Sequence, residues 1–581
     1  MTDVFRAYSA LSASSSRALV ADVLQSIIDA PPFAIDHSSR AELIQVLLKD
    51  IKLAGSKSRL TNKEASQALL AVKTLGKVGH GSEYLATPSG LSSLLSISIG
   101  YKDDVEANCE ALRCIANAML LFDQARVLFT SKEVMGGETV VTMLSKAANP
   151  DQIFTLSRIL FLATATRSSF ILSLVEEKHH GRTIIEIISN KLDLTMGSLL
   201  AGRKSAREAM TDLLKFTFNI LFLYPKMINA NGDWSPRLDG ILPPLLRVYY
   251  SLPPSFPVPL IAPLTHVIHS LITIPINRHL RPVWFGVSSS SSSRRTSSSH
   301  RHHHHHHPPR PVTAHAKISS PTPPSSSIPM SMLRHSISTS IPDQRNIITG
   351  ARSTTLDRAL SVLSGGKRSL SRSPSPIHPD IVQRTQDLLD ICFTFYFPNP
   401  DSPTYSKHNE AIDETLSPLV ILLTRLCKAD AVTRQRISDW IVPDHLDRSP
   451  HRPLEARNDF LGRCLRILQA HGGRLKESIG ELLYAMCGED AWVLSSKVGY
   501  GNVAGFLFNK GILSAPPPPL TTTSTTDGIN PITGTEFTTP RPSSSTPEMT
   551  EEEKEAEMDK LLVLFDRLER AGPRPKVKVK G

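Results

Sequence analysis

Between Gly240 and Pro342 the chain contains no aspartate or glutamate, although it holds 54 acidic residues against 65 lysines and arginines overall. Positive charge in that span comes from Arg247, Arg278, Arg281, Arg294, Arg295, Arg301, Arg310, Lys317 and Arg334. The formal excess of +11 is therefore lodged largely in one region rather than spread over a basic face. Most of that region is low in complexity: serines from Ser288, six histidines at 302–307, then Pro- and Ser-rich sequence. Such a composition cannot bury enough apolar surface to order itself, and residues 287–378 are read as a disordered basic insertion. A solvated loop is favoured over one that draws acidic partners or a membrane surface. A nucleic-acid partner would rest on this insertion alone, and none is expected. The histidines could bind metal weakly but lack the geometry of a site.

Aromatic residues make up only 6% of the chain, and no apolar run reaches the ~18 residues needed to cross a bilayer. Asp3 follows close behind Met1, without the basic and apolar parts of a signal peptide, so a soluble intracellular protein is expected. The six cysteines (Cys109, Cys114, Cys392, Cys427, Cys464 and Cys487) form no CxxC, and no histidine stands at zinc-finger spacing. Buried, reduced thiols are the reading, with no metal and no cofactor. No set of nucleophile, base and acid survives inspection, which makes an enzyme the least supported class. The glycines at 499, 501 and 505 lack the spacing and the preceding strand of a phosphate-cradling loop. They read instead as a tight turn packing the last repeat against the tail.

What the chain has is helical hairpins. Asp103 and Glu106 form a capping-box start, in which one carboxylate accepts the free amides of the first turn and the other reaches back. Ala107, Cys109, Ala111, Leu112, Ile115, Ala116, Met119 and Leu120 follow at spacings of three and four and define one buried face. Gly136 and Gly137 turn the chain, and residues 140–144 supply a second helix. An earlier copy opens with the capping box Thr61 and Glu64, its Glu64, Ala65, Leu70 and Val72 matching Glu106, Ala107, Leu112 and Cys114 at a shift of 42 residues. A single hairpin cannot bury its own face, and a repeat of roughly 40–47 residues is the spacing of armadillo and HEAT arrays. The fold expected is all-α, an armadillo/HEAT-type superhelix.

Residues 1–60 add two helices, the second capped by Ser39 and Glu42, so that N-terminal repeats run over 1–286. A third unit has Ile153, Leu156, Ile159, Leu160, Ala163 and Thr164 as its buried stripe, which Arg158 and Arg167 leave; a fourth, over 206–223, embeds Asn219 among apolar residues. Beyond the insertion, order resumes at Asp380, and residues 379–513 read as C-terminal HEAT-like repeats. A Pro/Thr-rich flexible linker covers 514–549. An amphipathic tail helix and basic end close the chain over 550–581, with Met558, Leu561, Leu562, Phe565 and Leu568 on one face. A lone amphipathic helix either folds back or binds a partner, and partner contact is favoured.

Residues 104–121, with Glu110-Ala111-Leu112-Arg113-Cys114-Ile115-Ala116-Asn117, resemble the signature helix of the synembryn family. Residues 156–167, 213–220, Arg474-Leu475-Lys476-Glu477-Ser478 and 499–511 are similar to further family segments in the same order. Ile529-Asn530-Pro531-Ile532-Thr533-Gly534, Met549-Thr550-Glu551-Glu552 and Leu564-Phe565-Asp566-Arg567-Leu568 resemble the family's end. The resemblance implies a guanine nucleotide exchange factor and folding chaperone for heterotrimeric G-protein α subunits. Its concave groove would hold the C-terminal helix of a nucleotide-free α subunit, and the segment after the repeats would embrace the GTPase domain. It also implies a cytoplasmic monomer, with room for peripheral association at the cell cortex. The acidic, phosphorylatable stretch that animal members carry before Asn-Pro-x-Thr-Gly is absent, for Asp527 is the only acid among the prolines and threonines at 516–527.

Asn117 and Asn219 stand at inner-helix positions, where an amide could clamp a peptide backbone by donating and accepting together, or equally could satisfy a neighbouring helix end. Lys73, Lys77, Arg113, Arg158 and Arg167 could line the groove and meet the carboxylates of a partner's C-terminus, or lie on solvated helix faces. The rival reading is a generic armadillo-type peptide-binding adaptor or transport receptor. Such a receptor should show a ladder of inner-face Trp and Asn, and Trp234, Trp284, Trp440 and Trp492 do not recur with the repeat.

Overall fold

Side-chain caps set where the helices begin, and helix follows helix in the computed structural model, which describes residues 4–55, 58–286, 380–400, 409–469, 473–512 and 528–536. Before the insertion run α1 (Val4–Ser9), α2 (Arg17–Asp29), α3 (His37–Lys52), α4 (Ala65–Leu75), α5 (Pro88–Gly100), α6 (Val105–Leu121), α7 (Asp123–Phe129) and α8 (Gly136–Lys146). Then come α9 (Pro150–Ala163), α10 (Ser169–Glu176), α11 (Ile184–Leu200), α12 (Ala206–Ile228), α13 (Leu242–Ser251), α14 (Leu264–Thr273) and α15 (Arg281–Phe285). After it run α16 (Ile381–Tyr396), α17 (Glu410–Ala429), α18 (Ala431–Ile441), α19 (Phe460–Gln469), α20 (Arg474–Met486), α21 (Ala491–Val498) and α22 (Tyr500–Asn509). The insertion at 287–378 and the tail at 550–581, with Met558, Leu561, Leu562, Phe565 and Leu568, lie outside the described residues.

The caps correct three boundaries. The carboxylate that starts α6 belongs to Asp104, not Asp103, and accepts from the amides of Glu106 and Ala107 at 3.1 Å each. α3 starts at His37 under Asp36, which accepts from the Ser39 amide at 3.0 Å, so Ser39 lies inside the first turn rather than capping it. Gly136 and Gly137 do not turn the chain; they form the first turn of α8. A Cβ on Gly136 would come within 2.4 Å of the Phe129 ring, and one on Gly137 equally close to Phe170, so close packing against two aromatic rings is what requires glycine there. The Thr61–Glu64 capping box is present, with the Thr61 amide donating to Glu64 Oε2 at 2.6 Å.

Two layers result. The first runs α2, α4, α6, α9, α12, α14, α17, α20, each helix packed along the next; α3, α5, α8, α11, α13, α16 and α19 back them and touch one another far less. In a curved stack the more closely spaced layer takes the shorter arc, so the first layer lines the concave side. Between the layers Leu112, Ile115, Ile153, Ile159, Leu213 and Leu214 are fully buried, each worth roughly 1.5–3 kcal/mol in transfer terms. All six cysteines are buried and unpaired with one another, and burial pushes the thiols of Cys109, Cys392, Cys427 and Cys487 up to about 12. No helix among the described residues is long and apolar enough to cross a membrane.

The stack continues across the insertion. α14 packs on α17, the buried Tyr249 hydroxyl meets Thr385 Oγ1 at 2.9 Å, and Arg281 pairs with Asp430 at 2.6 Å. Arg384 donates to the Leu252 carbonyl. Arg425 on α17 donates to the carbonyls of Ile272 and Ile274 at the end of α14, with no carboxylate beside it, and burial lowers it to about 10.

Candidate partner-binding groove

Residues four apart on a helix share a face, and this places Arg113 and Asn117 one turn apart on α6, in line with Lys73 on α4 and Arg158 on α9. The structure joins these positions through acids on the next helix. Glu110 lies 2.6 Å from Lys73 and 2.5 Å from Arg113; the second arm of Arg113 reaches Asp151 at 2.5 Å. Arg158 donates to Asp212 on α12 at 2.7 Å, and Lys215 stands 3.5 Å from the same carboxylate. Glu110 Oε2 has no aligned hydrogen-bond donor, so charge holds its pair with Lys73. Four cations thus share three carboxylates along one ridge. The carboxylates raise the Arg113 guanidinium pKa against the opposing pull of burial.

The other predicted residues divide. Asn219 is 2% exposed and spends its amide hydrogens on the Phe161 carbonyl at 3.1 Å and Thr164 Oγ1 at 3.2 Å, which fastens α12 to the end of α9. It therefore satisfies a helix end. Asn117 is half-buried, and its side chain has no hydrogen-bond partner among the described residues. Lys77 and Arg167 are exposed in the turns after α4 and α9, without ion pairs among the described residues. Lys226 lies close enough to Arg167 for the second charge to add to burial in lowering its pKa.

The sequence reading missed an aromatic stripe beside this ridge. Phe154, Phe161, Phe218 and Phe222 are half-buried. Arg158 sits over Phe154 at 4.7 Å, Lys215 over Phe161 at 5.5 Å, and Lys226 over Phe222 at 3.3 Å. Phe218 stacks on Phe222 and meets His269 of α14, which in turn meets His266 edge-on. The i, i+4 series Phe218, Phe222, Lys226 was the available signal. Burial, then His269 and Lys215, hold His266 down to about 3; burial holds His269 down to about 4, so both rings are neutral near pH 7.

The family described as guanine nucleotide exchange factor synembryn matches residues 68–573. The chain belongs to the synembryn family. Over shorter alignments it is 31% identical to Chaperone Ric-8A of Xenopus tropicalis across 169 residues, covering 27% of this chain and 30% of the relative. It is 30% identical to Chaperone Ric-8 of Drosophila melanogaster across 172 residues (27% and 29%), and 32% identical to Chaperone Ric-8 of Drosophila pseudoobscura pseudoobscura across 174 residues (27% and 30%). The chain therefore spans about 30% of the length of these curated relatives in the aligned parts.

The synembryn match also takes in residues 528–536, which the sequence reading assigned to a flexible linker. They lie instead against the end of the stack. Gly499 precedes α22 and offers no side-chain cap, so the first amides of that helix need acceptors from elsewhere. Tyr500 N donates to the Pro531 carbonyl at 2.7 Å and Gly501 N to the Ile532 carbonyl at 2.9 Å. Within the segment Asn530 Oδ1 accepts from Ile532 N at 2.9 Å, a side-chain-closed turn, and Asn530 N donates to Thr535 O at 2.7 Å. Arg448 grips both sides: its Nη1 donates to Gly534 O at 2.5 Å, and its carbonyl accepts from Glu536 N at 2.7 Å. Gly499 and Gly534 have positive φ, and a Cβ on either would fall 2.5–2.7 Å from main-chain atoms of the facing segment. Only glycine fits at both places.

Proposed function

We propose that the chain is a guanine nucleotide exchange factor and folding chaperone for a heterotrimeric G-protein α subunit, acting as a cytoplasmic monomer that visits the cell cortex. The observation that carries this is the unspent set on successive inner helices and their turns: Lys77, Asn117 and Arg167 have no side-chain partner among the described residues and stand beside a ridge with more cations than acids. An α subunit's C-terminal helix ends in a carboxylate. It would lie across Lys73, Lys77, Arg113, Asn117, Arg158 and Arg167, its acids exchanging with Glu110, Asp151 and Asp212. Its apolar side chains would meet the Phe154–Phe222 stripe. Asn219 contributes by fixing the spacing of α9 and α12.

Met558, Leu561, Leu562, Phe565 and Leu568 would supply a second contact on the GTPase domain. Exchange then follows from differential binding: a surface that prefers the empty, opened α subunit lowers nucleotide affinity by the same factor that nucleotide lowers its own. No bond is made or broken.

The test is release of labelled GDP from a purified α subunit, with and without the chain, in low and in excess GTP. Faster release and a nucleotide-free complex that GTP dissolves are expected. No acceleration with any α subunit, while a C-terminal peptide also fails to bind, would remove the reading.

A further inference from the structure

We propose that Arg448, Leu454 and residues 498–501 form an internal docking site for the 529–536 segment, and that this site fixes where the chain departs toward its C-terminal end. The first half stands on geometry alone. Two carbonyls of the segment cap α22, one guanidinium bridges the two strands of its turn, and glycines meet back to back at 499 and 534. Leu454, which is fully buried, lies 2.9 Å from where a Cβ on Gly534 would stand. Thr535 is 6% exposed, whereas Ile532 points outward at 64%. The site thus takes the main chain of an Asn-Pro-x-Thr-Gly turn and leaves the third side chain free.

The second half rests on the proposed exchange function. With 529–536 docked, the residues separating the body from Thr550 are 537–549, 13 in number, and whatever their conformation they span at most about 45 Å. Undocked, the separation grows to 513–549, 37 residues, with a limit of about 125 Å. The effective concentration of a tethered contact falls roughly as the −3/2 power of tether length, so the docked turn raises that of the tail about fivefold. Arg448 and Gly534 are in this sense positioning residues: they touch no substrate and act through the reach of the tail that they anchor.

The test uses the full chain and two variants. Gly534→Val places a branched side chain against the main chain at 498–499, and should remove hydrogen-exchange protection at the Tyr500 and Gly501 amides while leaving α17 and α20 protected. Unchanged protection would overturn the docking site. The second variant keeps the anchor and lengthens the tether by about two dozen Gly/Ser residues inserted after Ser543. Both variants should slow GDP release about fivefold at limiting α subunit, with undiminished binding of the α subunit's C-terminal peptide. A lengthened chain that matches the unmodified one in rate would overturn the positioning role. If the unmodified chain itself fails to accelerate release, the exchange reading falls, while hydrogen exchange still decides the docking site.

Discussion

From α4 to α12 the inner helices are tied to one another by ion pairs, whereas from α14 onward arginines are spent on main-chain carbonyls. Lys73–Glu110, Arg113–Asp151 and Arg158–Asp212 represent the first kind; Arg425 on Ile272 and Ile274, Arg463 on Phe397 and Arg448 on Gly534 represent the second. A carboxylate tie can be exchanged for another carboxylate brought by a partner. A carbonyl tie cannot, because the acceptor is part of the helix end it stabilises. The first half of the groove is thereby built to trade contacts and the second to hold its shape.

The largest expected effect is on the second kind. Arg425→Met should cost about 2–4 kcal/mol in denaturant unfolding by stranding helix-end carbonyls, and the loss should persist in 0.5 M salt. A loss that salt largely erases would break the distinction. Asp212→Asn, in the first kind, should cost less, about 1–2 kcal/mol, since Arg158 is 41% exposed and its pairing is screened. That cost should shrink in salt.

Acid should find the boundary between the two kinds, where His266 and His269 sit on α14. Both folded-state values lie below the unfolded one near 6.5, so the unfolded chain binds protons first. Stability is full above that value and falls as pH drops toward about 4, by at most about 1.4 kcal/mol per pH unit for each ring. His269→Gln should flatten the slope of unfolding free energy between pH 6.5 and 4; an unaltered slope would place the acid sensitivity elsewhere. The smallest effect on stability belongs to the unpaired cations. Lys77→Ala and Arg167→Ala should each change it by under about 0.5 kcal/mol, yet weaken binding of an acidic C-terminal peptide several-fold by calorimetry.

The fold was legible because its signals are local. Capping carboxylates, three-and-four spacing and a shift near 42 residues all sit within one hairpin, and the errors at Asp103 and Ser39 are slips among adjacent polar residues. Gly136 and Gly137 misled because what they accommodate, the rings of Phe129 and Phe170, comes from neighbouring helices. The groove was half legible for the same reason. Spacing aligned Lys73, Arg113 and Asn117, but the acid that engages Arg158 lies 54 residues away and the acceptor for Asn219 lies 58 away, distances that only the rise of the superhelix brings together. The anchor at 528–536 carried a recognisable Asn-Pro-Ile-Thr-Gly, yet nothing in that string says which helix lacks a cap.

The contacts that span the insertion amount to a ready-made subunit interface. Tyr249 with Thr385, Arg384 with Leu252, Arg281 with Asp430 and Arg425 with the end of α14 would all survive a cut anywhere in 287–379. Residues 1–286 and 380–581, made as separate chains, should therefore reassemble without a covalent link. Their stability would become concentration-dependent, as in a heterodimer, and the insertion would be a place where foreign sequence can be carried at little cost to the body.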